Sequence, residues 1–157
     1  MGSTHKKVII RKMDRDTLQG YVAPSNFVAD GRVELLNTAG NVVLIELTDI
    51  KGVYFVRDFS DENLLRKTFT SRPRTEGLWV RLEFKDTEVL EAMMPNDLVQ
   101  VSPEGYLVSP PDTRSNTQRI FVPRTALSSL TVLGVIGSPT LRRKKVAAGV
   151  EQEELFQ

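Results

Sequence analysis

One pattern constrains this chain more than any other. The stretch Leu78-Trp79-Val80-Arg81-Leu82-Glu83-Phe84-Lys85 has apolar residues at 78, 80, 82 and 84 and, Trp79 aside, charged residues between them. That is the period of a half-buried strand. Lys85-Asp86-Thr87 reads as a tight turn, and Val89 to Met94 returns as a second strand. The N-terminal segment does the same: Val8, Ile10 and Lys12 share a face, Asp14-Arg15-Asp16 make the turn, and Leu18 to Val22 run back. A shift of 72 residues places Val8 on Val80, Ile10 on Leu82, Asp14 on Asp86, Leu18 on Leu90 and Gly20 on Ala92. Small residues at 20 and 92 let a strand bend sharply or be approached closely.

The later halves match as well, at an offset of 77. Val43 to Phe55 aligns with Ile120 to Val132, each a strand, a short kink with one apolar anchor (Ile50, Leu127) and another strand. Residues 101–116, with Pro103, Pro110 and Pro111, hold the extra length of the second copy. An internal repeat is therefore the leading reading, and a chance likeness of two β-meanders the plainer one. Copy one is expected to have strands near 7–13, 17–23, 32–37, 41–48 and 52–57, and copy two near 78–85, 88–94, 105–109, 118–123 and 128–133. Five short, bent antiparallel strands make a small barrel. The expectation is an all-β protein of two tandem barrels, residues 6–60 and 78–134, packed together to deepen two thin cores. A flexible tail is expected over residues 135–157.

Between the copies, the apolar run Val53 to Val56 stops at Arg57-Asp58. Ser60 is placed to cap a short helix through Leu64-Leu65, with Asp61 and Glu62 at its positive end and Arg66 and Lys67 at its negative end. This helix and a basic linker, with Arg72, Pro73 and Arg74, fill residues 61–77.

Composition sets outer limits. No apolar run approaches the length of a membrane span, and Met1 to Lys7 lack the apolar region of a secretory signal. Cysteine is absent, which excludes thiolate chemistry and fits a cytoplasmic location. The net charge of +1 confines any nucleic-acid binding to a local patch.

The strand pair ending in Leu18-Gln19-Gly20-Tyr21, then Leu35-Leu36-Asn37 with Gly40, then two closing strands, resembles the Sm-like fold. Phe55-Val56-Arg57-Asp58-Phe59 also resembles the signature of an uncharacterised bacterial domain family, members of which are found attached to PilZ-type second-messenger domains. The likeness covers residues 6–60 and, more loosely, 78–134, where Val132-Leu133-Gly134 replaces the signature. The helix that precedes the first Sm strand has no counterpart before Val8. The Sm-like resemblance implies a binding fold and, as one alternative, single-stranded RNA recognition.

Several motifs carry a functional and a plainer reading. Arg57, Asp58 and Phe59 could offer a donor fork, a carboxylate and an anchor to a protein partner, or form an intrachain corner with Phe59 plugging the barrel end. Arg11-Lys12-Met13-Asp14-Arg15 matches half of a cyclic-di-GMP motif, but the second half is missing, so no such site is expected. Arg66, Lys67, Arg72 and Arg74, with Phe69 among them, could track a phosphate backbone or be a solvated linker. Arg142, Arg143, Lys144 and Lys145 could touch RNA or solubilise a tail. Asp14 and Asp16 read as turn formers rather than metal ligands. The only histidine is His5, which leaves no Ser-His-Asp chemistry, and no glycine-rich phosphate loop occurs.

No enzyme activity, metal or cofactor is expected. The function expected is a non-catalytic adaptor binding another protein, or itself, with RNA binding as the alternative. A contiguous basic stripe through Arg66, Arg72, Arg74 and Arg119 would favour RNA, scattered charge a protein, and a cleft with two close acids would revive catalysis.

Overall fold

The structure is a computed structural model that describes residues 5–59, 65–112 and 114–137. It is all-β. The first half holds β1 (Lys6–Lys12), β2 (Thr17–Val22), the two-residue β3 (Val28–Ala29), β4 (Arg32–Asn37), β5 (Val42–Glu46) and β6 (Ile50–Val56). The second half holds β7 (Gly77–Phe84), β8 (Val89–Met94), β9 (Gly105–Val108), β10 (Thr117–Pro123) and β11 (Leu127–Ile136). A 3-10 turn, Leu47–Asp49, joins β5 to β6, and another, Arg124–Ala126, joins β10 to β11. Both fall at the kinks read from the sequence. A third, Leu98–Gln100, lies in the β8–β9 connection, where the Asp97 carboxylate accepts the Val99 N–H.

The strand pairs recur at the expected offsets. Val8 faces Gly20 and Ile10 faces Leu18; Val80 faces Ala92 and Leu82 faces Leu90. Val8 faces Phe55 and Ile10 faces Val53; Val80 faces Val132 and Leu82 faces Leu130. Leu35 faces Val43 in the first half, and Val108 faces Ile120 in the second. Tyr21 pairs with Leu36, and Met93 makes a single bridge to Ser109.

The hairpin turns agree atom for atom. Asp14 Oδ1 accepts the Asp16 N–H at 3.0 Å, and Asp86 Oδ1 accepts the Glu88 N–H at 3.0 Å. Arg15 and Thr87 both take a φ of 76°, the left-handed conformation that closes a three-residue hairpin loop. Gly20 meets the close approach expected of it: a Cβ there would lie 2.4 Å from the Leu36 carbonyl oxygen.

The hydrogen bonding leaves the sheets open. One sheet runs β3-β4-β2-β1-β6-β10-β9, with β5 on β4; the other runs β11-β7-β8. The 3-10 turn joins β5 to β6, and no ladder pairs them, so backbone hydrogen bonds do not close the first copy into a ring of strands. The two halves instead share the larger sheet through β6 and β10, with Phe55 opposite Arg119 and Val53 opposite Phe121.

This junction explains the burial of β6, whose seven residues are all buried. Val53 and Phe55 face one core, with Val8, Ile10, Val33 and Leu35. Tyr54 and Val56 face the other, with Val80, Leu82, Leu90 and Val122. β10 reciprocates, since Phe121 enters the first core and stacks edge-on against Phe27. Apolar burial is the dominant favourable term, and here each half completes the other's core.

A polar staple reinforces the junction. Lys51 is buried and its Nζ donates to Asp86 at 2.7 Å and to Glu88, both at the β7–β8 turn. Lys67 meets Glu88 from the other side at 2.8 Å. Most of the helix expected from Ser60 through Leu65, residues 60–64, lies outside the described residues, as does the basic run 142–145; its expected end, Leu65, Arg66 and Lys67, is not helical. Leu65 packs against the second core.

Candidate functional site

Antiparallel pairing gathers cations at one end of the junction. β1 begins where β6 ends, because Val8 lies opposite Phe55. β10 begins there too, because Arg119 lies opposite Phe55. Lys6 and Lys7 precede Val8, and Arg57 follows Val56, so three strand ends bring Lys6, Lys7, Arg57 and Arg119 to one groove. It has a volume of about 570 Å³, with Phe55, Val56 and Leu107 as its apolar part and, among the described residues, no carboxylate in its lining. All four cations belong to exposed residues.

The Arg57-Asp58-Phe59 corner forms one wall of this end. The Arg57 guanidinium donates to the Arg114 carbonyl at 3.0 Å, and its backbone N–H donates to the Asn116 carbonyl at 3.0 Å. Asn116 grips Asp58 twice: its Oδ1 accepts the Asp58 N–H at 2.8 Å, and its Nδ2 donates to the Asp58 carbonyl at 2.7 Å. Phe59 packs edge-on against Tyr21 at 5.6 Å, with the Lys7 ammonium 5.7 Å from its ring centre. The corner thus orients Arg57 and Lys7 beside the groove.

The linker cations lie elsewhere. Arg72 donates to the Val135 carbonyl at 3.4 Å, on β11. Lys67 is engaged with Glu88, and Phe69 packs on Trp79. Arg66 and Arg74 are exposed, and neither lines the groove. Of the stripe sought in the sequence, the groove contains Arg119 alone. Lys6 and Lys7 were missed because only the pairing of β1 with β6 reveals their neighbours; two lysines heading a strand were the available signal.

A second cleft, about 420 Å³, lies where the two hairpin turns meet Lys51, and it does hold two neighbouring acids, Asp86 and Glu88. Burial would raise both carboxyl pKa values, but the hydrogen bonds and charge of Lys51, and of Lys67 for Glu88, outweigh it and hold both below the ordinary carboxylate range. Burial likewise works against the Lys51 ammonium, and the two carboxylates overcome it and raise its pKa. A proton-donating acid needs the opposite shift. Burial raises the Tyr54 phenol, against which Arg11 stacks at 5.0 Å.

Asp14 and Asp16 form the turn described above. Among the described residues, no group of three or more His, Asp or Glu side chains could hold a metal ion. No helix among them is long and apolar enough to cross a membrane.

No curated protein matches this chain, and no solved structure does. A family model matches residues 4–134, which takes in both copies of the repeat, the junction and the groove: the chain belongs to a family of unknown function, DUF6982.

Proposed function

We propose that this protein is a non-catalytic binding module that holds single-stranded nucleic acid in the groove at the β1–β6–β10 junction. The observation that carries this reading is a lining with four cations, the exposed apolar side chain of Leu107 and, among the described residues, no carboxylate. Such a surface suits a phosphate backbone, whose binding releases counterions, while Leu107 offers an apolar contact to a base. The finer architecture, two Sm-like barrels in tandem, is supported by the recurrence of the β1–β2, β1–β6 and β4–β5 ladders as β7–β8, β7–β11 and β9–β10 at the offsets of the repeat. The non-catalytic reading is supported by the ionised, lysine-bound state of Asp86 and Glu88.

Fluorescence anisotropy with short single-stranded RNAs, at physiological and raised salt, tests the proposal. Micromolar or tighter binding that weakens steeply with salt is expected. Lys7→Ala and Arg119→Ala should each lower the salt slope by about one, whereas Arg72→Ala and Arg74→Ala should leave it unchanged. No binding, or a slope indifferent to the groove variants, overturns the proposal. A protein-partner reading is also supported, by a separate observation: two sheet edges carry exposed apolar side chains.

A further inference from the structure

Each half of the repeat has a strand that the other half covers and a strand that nothing in the described residues covers. β6 is paired on both sides, by β1 and β10. Its equivalent in the second copy, β11, is paired only by β7 and ends its sheet. β10 is paired by β9 and β6; its equivalent in the first copy, β5, is paired only by β4. The chain therefore makes one junction internally, between the closing strand of copy one and the fourth strand of copy two. Among the described residues, the complementary halves of the same junction stay open at its two ends.

The side chains follow the same logic. Phe121, 5% exposed, fills the first core; its equivalent, Leu44, is 57% exposed. Phe55, 8% exposed, has Val132, 50% exposed, as its equivalent. Val42, Leu133 and Val135 are also exposed. β5, Val42-Val43-Leu44-Ile45-Glu46, is strongly β-forming and carries one charge, which Arg32 pairs at 2.7 Å. It has no lysine, proline or bulge of the kind that blunts a free edge. On β11, Arg72 occupies the Val135 carbonyl, and residues 130–133 lie clear of that contact.

We propose that β5 of one molecule pairs antiparallel with β11 of a second copy of this chain, in the register that β10 uses on β6. Carrying the internal pairs across the repeat offset places Val42 opposite Val132, Val43 opposite Thr131 and Leu44 opposite Leu130. The partner is a second copy because the chain already contains the matched strand pair. Each molecule offers one donor and one acceptor edge, so association closes into a ring or continues as a filament according to the rotation between copies. This inference is independent of the groove and of what the groove binds.

The absence of cysteine allows a direct test on the full chain. Val42→Cys and Val132→Cys proteins, mixed and mildly oxidised, should give a covalent dimer that neither gives alone. Sedimentation velocity of the wild type should show mass rising with concentration above the 17.6 kDa monomer. Leu44→Lys and Val132→Lys should each sediment as monomers with circular dichroism melts like the wild type. Mixed together, these two variants should form dimers and nothing larger, because each keeps the edge the other lacks. A wild type that stays monomeric to about 100 µM overturns the proposal. So does cross-linking of either cysteine variant with itself as readily as with the other.

Discussion

β6 and β11 occupy equivalent places in the two repeats, each paired with the first strand of its own copy in the same register. One is buried along its whole length, and the other is exposed at most positions. The difference does not come from the local pairing, which is shared. It comes from β10, which covers β6 and, among the described residues, has no counterpart over β11. The composition of the two strands has adjusted to this: Tyr54 and Val56 reach a second core, whereas Ser128, Ser129 and Thr131 face solvent. The burial of a strand in a repeat protein is thus set by what lies beyond its own unit.

The comparison can be broken most sharply at the equivalent pair Phe121 and Leu44. Phe121→Ala empties a buried aromatic site and should cost about 3–5 kcal/mol in urea denaturation. Leu44→Ala should cost less than about 0.5 kcal/mol in a monomeric sample. Equal costs would mean that the two strands do not differ as described.

The staple across the junction comes next. Lys51→Met removes the ammonium from Asp86 and Glu88 and should cost about 1–2 kcal/mol, a discounted figure because both carboxylates remain partly in solvent. The pH dependence has a definite sign. Both carboxylates titrate below their ordinary values in the folded state. Their contribution is complete above about pH 4.5 and is lost as pH falls through the folded values. Lys51, raised from 10.5, keeps its charge throughout that range. The difference in melting temperature between wild type and Lys51→Met should therefore shrink on acidification below pH 4.5; an unchanged difference would rule out the ion pairs as its source.

The smallest effect sharpens the likeness rather than the difference. Thr87 is β-branched at a φ of 76°, where glycine is unstrained. Thr87→Gly should raise stability by about 1 kcal/mol, measurable as a higher urea midpoint. Arg15→Gly, at the same φ in the first copy, should gain less because arginine is not β-branched.

The hairpins and their turns were legible in the sequence because they are local: alternating apolar residues, an aspartate to bridge each turn and a small residue at 20 and 92. The offsets were legible too, and the ladders follow them. The two-residue β3 was not, since Val28-Ala29 is too short to show a period. The β6–β10 pair was legible only as an expectation that the two copies pack together, because nothing near Val53 identifies Phe121 as its partner. The groove depends on that pair, so Lys6 and Lys7 were invisible as a site. Arg57 stood out in the sequence where the apolar run stops, but its contacts to Arg114 and Asn116 come from a loop far away in sequence.

β6 also imposes an order of events during synthesis. The ribosome finishes Val56 about 60 residues before it reaches Thr117, which at roughly 5–20 residues per second leaves several seconds between them. In that interval the nascent first copy presents a strand of Ile50, Val53, Tyr54, Phe55 and Val56 with one edge and one face uncovered. It is then at its most adhesive, and the arrival of β10 ends the exposure. The N-terminal half is therefore an incomplete object by itself, and a stop codon in the linker would release a sticky fragment rather than a smaller working protein.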